Sequence, residues 1–253
     1  MTPKTKEELR LMRDGGRKLA SVLEVLLAAA KPGVSLLSLE ELAQDRIRKS
    51  GGTPSFQTVR GYKWATCLCV NEVVVHGVPS VYRLKEEDLL TVDVGLLYKG
   101  FHTDTAWTKI VKSPETQVDS EKKRFLTVGE EALWSAIRQA RAGNNVGHIS
   151  QTIQEKVEGA GYSIVQSLVG HGVGRELHEE PQIPGFLKGS PDKTPLLVPG
   201  MTVAVEVIYA MGKGEVLYEN DDGWSIATAD RSLSAVFEHT IEITQGEPVV
   251  LTK

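Results

Sequence analysis

What this chain of 253 residues has little of narrows its class before any motif is read. Cysteine occurs only at Cys67 and Cys69, which rules out a disulfide framework or a cysteine-based structural zinc site. In a strand this C-x-C pair is expected to point to opposite faces and to remain as free thiols, as suits a cytoplasmic protein. Long hydrophobic runs are missing: the most apolar stretch, residues 19 to 30, is interrupted by Glu24 and is too short to span a bilayer. Neither sign of charge dominates. The net charge is -4 and Lys and Arg are scattered, so neither DNA nor an anionic membrane is an expected partner. The polar start M-T-P-K-T-K-E-E-L-R runs straight into a helical pattern and does not resemble a secretory signal. With 41% hydrophobic and 25% charged residues, and neither low complexity nor a flexible linker, the chain reads as an ordinary globular protein.

The apolar periodicity gives a mixed α+β plan. Thr5 and Glu8 have capping-box spacing, and Leu9, Met12, Leu19, Val22, Leu23 and Leu26 recur at helical spacing until Lys31-Pro32-Gly33. A second helix is predicted from Ser38, with Glu41 three residues on, to Gly51-Gly52. Residues 53 to 64 read as a loop holding Tyr62 and Trp64, and residues 65 to 75 as one strand leading into His76-Gly77-Val78-Pro79. Further on, helices are predicted over 120 to 142 and about 146 to 158, strands over Met201 to Ile208 and Ser234 to Ile243, and a surface loop over Gly185 to Pro199. A shift of 110 residues lays Gly33 on Gly143, Leu36 on Val146, Leu39 on Ile149, Ala43 on Ile153, Ile47 on Val157 and Gly51 on Gly161. We infer one domain over 1–253 made of two pseudo-symmetric helix-helix-strand halves, about 1–112 and 113–253, with a site at their junction.

Residues 89 to 111 read as a hairpin turning at Lys99-Gly100. That turn pairs Tyr98 with Phe101, sets Asp93 opposite Ala106 and Asp104 opposite Gly95, and makes the two aspartates diagonal neighbours on one face. Two carboxylates converging on a small volume repel, and a cation resolves that. Glu206 and Glu238 also stand inside strand-like segments, and the glycine-rich run G-H-G-V-G-R-E-L-H-E-E-P, 170 to 181, supplies His171 and His178. Taken singly, each of these is more often a hairpin, edge or hydrogen-bonded structural residue. As a set, Asp93, Asp104, His171, Glu206 and Glu238 carry four negative charges with a neutral histidine, which two divalent cations would balance, and oxygen donors with one imidazole suit Mn, Fe, Co or Zn. The glycines do not make a dinucleotide loop: the third glycine is missing and Pro181 and Pro184 block the helix that should follow. The two histidines also lack the H-E-x-x-H spacing of zincins.

With these residues in place, the chain resembles the type I methionine aminopeptidases over nearly its whole length. The blocks that carry the resemblance are N-E-V-V-V-H-G-V-P (71 to 79), D-V-G-L-L-Y-K-G-F-H-T-D-T-A (93 to 106), the run 170 to 181, P-G-M-T-V-A-V-E (199 to 206) and S-L-S-A-V-F-E-H-T (232 to 240). The resemblance implies the pita-bread fold, two halves around a curved antiparallel sheet, and hydrolytic removal of the initiator methionine from nascent proteins with a small second residue, through a water bridging two metals. It implies Asp93, Asp104, His171, Glu206 and Glu238 as ligands of two ions (Co, Mn, Fe, Zn or Ni), with Glu206 also moving a proton. It further implies His76 near the scissile amide, His178 on the carbonyl oxygen, and Tyr62, Cys67 and Trp224 around the methionine side chain. Asn71, Val73 and Ser234 fall where the family often holds Na or K. The expected partners are N-termini of nascent polypeptides at the ribosome, with the enzyme a cytoplasmic monomer. Four positions depart from the family's pattern: Val207 for proline, Gly95 for threonine, Leu177 for an aromatic and Val59 for a tyrosine. These put the selectivity of the pocket in question rather than its chemistry. The alternatives are an Xaa-Pro aminopeptidase or dipeptidase on the same fold, or a non-catalytic binding protein of that fold.

Overall fold

A computed structural model describes residues 2–219 and 221–253. Among these, four α-helices lie on one face of a long antiparallel sheet. Helix α1 (Lys6–Ala29) opens with a reciprocal capping box, in which Thr5 Oγ1 accepts the Glu8 N–H and the Glu8 carboxylate accepts the Thr5 N–H. Helix α2 (Leu36–Lys49) starts before Ser38, because Ser35 is the N-cap and its Oγ accepts the Ser38 N–H. Helices α3 (Ser120–Ile137) and α4 (Val146–Gly159) follow. Helix α3 stops short of residue 142, its end tightening into turns at Gln139 and Ala140. Both ends of α4 lie at the sequence offset found above for α2. The glycines that flank the paired helices also match, Gly33 and Gly143 at φ 86° and 91°, Gly51 and Gly161 at 80° and 90°.

The strands are β1 (Thr53–Pro54), β2 (Thr66–Val70), β3 (Val73–Val75), β4 (Leu89–Tyr98), β5 (Phe101–Ile110), β6 (Ser163–Ile164), β7 (Val169–Gly172), β8 (Glu179–Pro184), β9 (Thr202–Ala210), β10 (Val216–Tyr218), β11 (Ile226–Thr228), β12 (Ser234–Glu242) and β13 (Val249–Val250). The main sheet runs β1-β4-β5-β12-β9-β7-β8, with β2 on β4, β6 on β9 and β13 on β12. A smaller sheet runs β10-β11-β3.

Two further predicted features are corrected. The single strand over 65 to 75 is two strands in different sheets, because the chain turns at Asn71, left-handed at φ 57°. The Asn71 side chain holds that turn, donating to Asp88 and accepting the Leu89 N–H. Cys67 and Cys69 share a face rather than opposing each other, as residues two apart in a pleated strand must, and both pack near Tyr62 as free thiols.

Alternation along the strands sorts the two faces. Val203, Val205, Val207, Phe237 and Ile241 point toward α3 and α4, while Leu90, Val92, Val94 and Leu96 point toward α1 and α2. Val207 therefore lies in the apolar core, on the opposite side of β9 from Glu206. The other face of the sheet carries the charged residues. No helix among the described residues is long and apolar enough to cross a membrane.

Candidate metal centre and substrate cavity

Register explains why the charged residues meet, since residues opposed across strands, and those two apart along one strand, share a face. Asp93 pairs with Ala106, Ala106 with Glu238 and Glu238 with Glu206, which makes one rung across β4, β5, β12 and β9. The next rung on that face holds Gly95 paired with Asp104, then Thr240 paired with Ala204 and Ala204 with His171. Thr240 Oγ1 closes the gap in it by donating to the Asp104 carbonyl and accepting the Asp104 N–H. The hairpin has the register that the Lys99-Gly100 turn predicts, with both turn residues left-handed at φ 51° and 85°.

Asp104, His171 and Glu238 each offer a donor atom, and the three atoms lie within 4.8 Å of one another. Asp93 and Glu206 adjoin this trio through the register rather than falling inside that distance, and His171 Nε2 is 3.5 Å from Glu206 Oε1. His171 Nδ1 is bonded to the Gly172 carbonyl at 2.8 Å. A carbonyl only accepts, so Nδ1 carries the hydrogen and the neutral ring turns the bare Nε2 toward the carboxylates. Burial, helped by the neighbouring His178, pushes His171 down to about 4, so the ring is neutral at pH 7.

The carboxylates are short of partners. Glu238 Oε1 is buried with no hydrogen bond. Burial raises Asp104 to about 7, and burial followed by the Asp104 charge raises Asp93, Glu206 and Glu238 well above the carboxylate range. A group of acids in this condition takes up protons or a cation. Oxygen donors, an orphaned carboxylate oxygen and an imidazole with a free lone pair fit a divalent cation.

Above the two rungs opens a cavity of about 350 Å³ that also reaches His76, His178, Tyr62, Cys67 and Trp224. The structure thus brings every predicted ligand and pocket residue to one place. Cys67 pairs with Asp93 across β2 and β4, while the Tyr62 hydroxyl donates to the Thr66 carbonyl at 2.8 Å and its ring meets Trp224 edge-on at 5.1 Å. His76 is left-handed at φ 57°, a conformation costly for a histidine and kept where the surroundings impose it. His76 and His178 are both open to solvent at the cavity mouth. The surrounding protein, and for His76 also the nearby His178, lowers their proton affinity from the usual value. The His178 and His171 rings are 4.5 Å apart.

Of the departures, Leu177 and Val59 line the cavity. Gly95 does something else. A Cβ there would lie 2.7 Å from the Ser55 Cβ and 2.8 Å from Phe56 Cε1, so glycine makes the room that Phe56 fills. Phe56 lines the cavity too. The sequence did not single it out, since an aromatic in an irregular segment carries no periodic signal. At the far end of β12, Ser234 Oγ lies 3.0 Å from the Asn71 carbonyl and 3.1 Å from that of Val73. One hydroxyl hydrogen serves two acceptors, which leaves three oxygens converging.

Comparison with known proteins agrees in one direction. Residues 10–245 match the model of metallopeptidase family M24. The chain is 40% identical to methionine aminopeptidase 1 of Bacillus subtilis (strain 168) over 250 residues, covering 99% of this chain and 98% of that protein. It superposes on the crystal structure of methionine aminopeptidase from Thermotoga maritima with a TM-score of 0.95 at 39% identity, covering 100% of this chain and 99% of that one. A prolidase from Pyrococcus furiosus gives a TM-score of 0.77 at 21% identity, covering 99% of this chain and 65% of that one, a likeness of fold alone.

Proposed function

Because the chain belongs to metallopeptidase family M24, and within it to the type I methionine aminopeptidases, we propose that it hydrolyses the amide bond after the initiator methionine of nascent proteins with a small second residue. The fold is the pita-bread fold, and the chain is one unit of two pseudo-symmetric halves, about 1–112 and 113–253. The observation that carries the reading is the double rung of acids and one imidazole at the base of a partly apolar cavity.

Asp93, Asp104, His171, Glu206 and Glu238 would hold two divalent cations, whose bound charge matches the four carboxylates. Such cations supply Lewis acidity, lowering the pKa of water and polarising the scissile carbonyl. The remaining work belongs to the chain. Glu206, on the same rung as Glu238 and lining the cavity, takes a proton from the attacking water and passes it to the leaving nitrogen. His178 donates to the carbonyl oxygen as it gains charge, and His76 stands by the scissile amide and leaving group. Both are suited by lowered proton affinity to act as neutral hydrogen-bonding groups. Tyr62, Cys67 and Trp224, with Phe56, Leu177 and Val59, form an aromatic and sulfur-lined slot for a thioether side chain. A free, unprotonated α-amino group would be a further donor to one of these cations, which restricts attack to the first peptide bond. The carbonyls of Asn71 and Val73 with Ser234 Oγ are the site for Na or K. The enzyme acts as a monomer in the cytoplasm, on chains emerging from the ribosome.

Metal-stripped protein resupplied separately with Mn, Fe, Co, Zn and Ni, and assayed on Met-Ala-Ser, tests this. Methionine release that needs metal and is lost in His171→Ala and Glu206→Gln is expected. Folded, metal-loaded protein that releases nothing with any ion would overturn the reading.

A further inference from the structure

Lys4 stands outside every motif, yet its ammonium is buried and both of its side-chain partners flank the segment that carries His178. Nζ donates to the Val173 carbonyl at 3.1 Å and to Glu179 Oε2 at 2.8 Å, with side-chain exposures of 0% for Lys4 and 14% for Glu179. The other oxygen of that carboxylate, Oε1, accepts the backbone N–H groups of Arg175 and Glu176 at 2.6 and 3.1 Å. One carboxylate, at the start of β8, therefore gathers the loop 173–178 between β7 and β8. His171 sits in β7 before that loop, and His178 stands at its far end, next to Glu179.

The N-terminal strap is held on its own account. The Lys4 N–H donates to the Gly200 carbonyl at 2.8 Å, and the Arg175 guanidinium meets the Glu8 carboxylate at 2.6 Å. The end of the Lys4 side chain occupies the space where a Cβ on Gly174 would stand. A buried ammonium is costly unless paired, and an apolar side chain would fasten the strap with less penalty. What the charge adds is control of Glu179. Burial favours the neutral acid, but Lys4 and the Glu176 and Arg175 N–H groups outweigh it and keep the group ionised. An ionised, inward-facing Glu179 can hold the loop amides; without its counter-charge it would turn to solvent and release them.

We propose that Lys4 is a positioning residue for His178, acting through Glu179 to fix the loop 173–178 so that the imidazole meets the carbonyl oxygen of the scissile bond. The proposal rests on the role given to His178 above. That hydrogen bond strengthens as the oxyanion forms, so misplacement is felt in turnover more than in binding.

The test compares wild type with Lys4→Met, Lys4→Arg, Glu179→Gln and the Lys4→Met/Glu179→Gln double variant, all metal-loaded, on Met-Ala-Ser. In Lys4→Met, kcat should fall about 10- to 100-fold, the scale of a small displacement of a catalytic group. KM and bound metal should stay near wild type, Lys4→Arg should recover part of the loss, and the double variant should be no worse than the poorer single one. Backbone hydrogen exchange at Arg175 and Glu176 should speed up while α4 stays protected. An unchanged kcat in folded Lys4→Met, or a loss of kcat that only follows lost metal, overturns the proposal. If Lys4→Met does not fold, Glu179→Gln carries the same test with the same outcomes. If wild type itself releases no methionine, the functional reading fails, and the exchange measurement still decides whether Lys4 orders the loop.

Discussion

Gly95→Ala puts the coupling between a strand glycine and the cavity wall to a quantitative test. The added methyl would stand 2.7 Å from the Ser55 Cβ and 2.8 and 3.2 Å from two ring carbons of Phe56, inside the ~3.5 Å of an ordinary carbon contact. Ser55 cannot easily retreat. Its N–H donates to the Gly95 carbonyl at 3.0 Å, and its hydroxyl is tied to His102 Nδ1. Overpacking of this kind costs about 1–3 kcal/mol. The more movable neighbour is the Phe56 ring, and its retreat is into the slot, so KM for Met-Ala-Ser should rise about tenfold, about 1.4 kcal/mol of lost binding. In a Phe56→Ala background the ring contacts are gone and only Ser55 resists, so the same substitution should cost at least about 1 kcal/mol less there. Urea denaturation of the four metal-free proteins, with steady-state kinetics on the metal-loaded ones, measures both effects. Stability changes that add within about 0.5 kcal/mol, together with an unchanged KM in Gly95→Ala, would refute the reasoning.

The metal-free protein should lose stability as pH rises. A carboxyl with a higher folded than unfolded pKa favours folding below the unfolded value and loses that contribution through the folded one, here from 3.8 up to about 7 for Asp104. The loss should be a few kcal/mol, at roughly 1.4 kcal/mol for each tenfold gain in proton affinity on folding. Melting temperatures between pH 5 and 8 should fall with pH in EDTA and stop falling with saturating metal, and a metal-free protein that grows more stable over that range would contradict the acid cluster. Glu40 accepts the N–H groups of Ala65 and Thr66 and the Thr66 hydroxyl at 2.7, 3.0 and 2.6 Å. Glu40→Ala should therefore cost about 3 kcal/mol in denaturant unfolding, and should raise KM because these bonds seat the strand bearing Cys67. Ser234→Ala removes the hydroxyl from the three-oxygen group and should abolish any activation by Na or K while leaving the divalent-metal requirement, as a titration of activity against KCl would show.

How much of this was readable in advance depended on how local the cause was. The 93/104 diagonal followed from a two-residue turn and the alternation of side chains, and α4 followed from spacing already present in α2. The start of α2 was misplaced because both Ser35 and Ser38 could cap, and only the fold shows which one does. Asn71 hid a strand break within an apolar run, since a single residue's left-handed turn leaves periodicity untouched. Phe56 and Lys4 were out of reach for a deeper reason: the first depends on the missing side chain of residue 95, and the second on a partner 175 residues away, and neither spacing nor composition records such contacts.

Strand β12 lies between β5 and β9, and this order sets a timetable for the protein's own birth. Until Glu242 has been made, the outer edge of β5 has no strand beside it, although Ile110 at its end was added long before. At ribosomal speeds of about 5–20 residues per second the gap is on the order of ten seconds, during which an unpaired edge is open to wrong partners. Glu238 arrives with that strand, so the acid cluster is incomplete throughout. The topology thus withholds the complete site until the chain is almost finished.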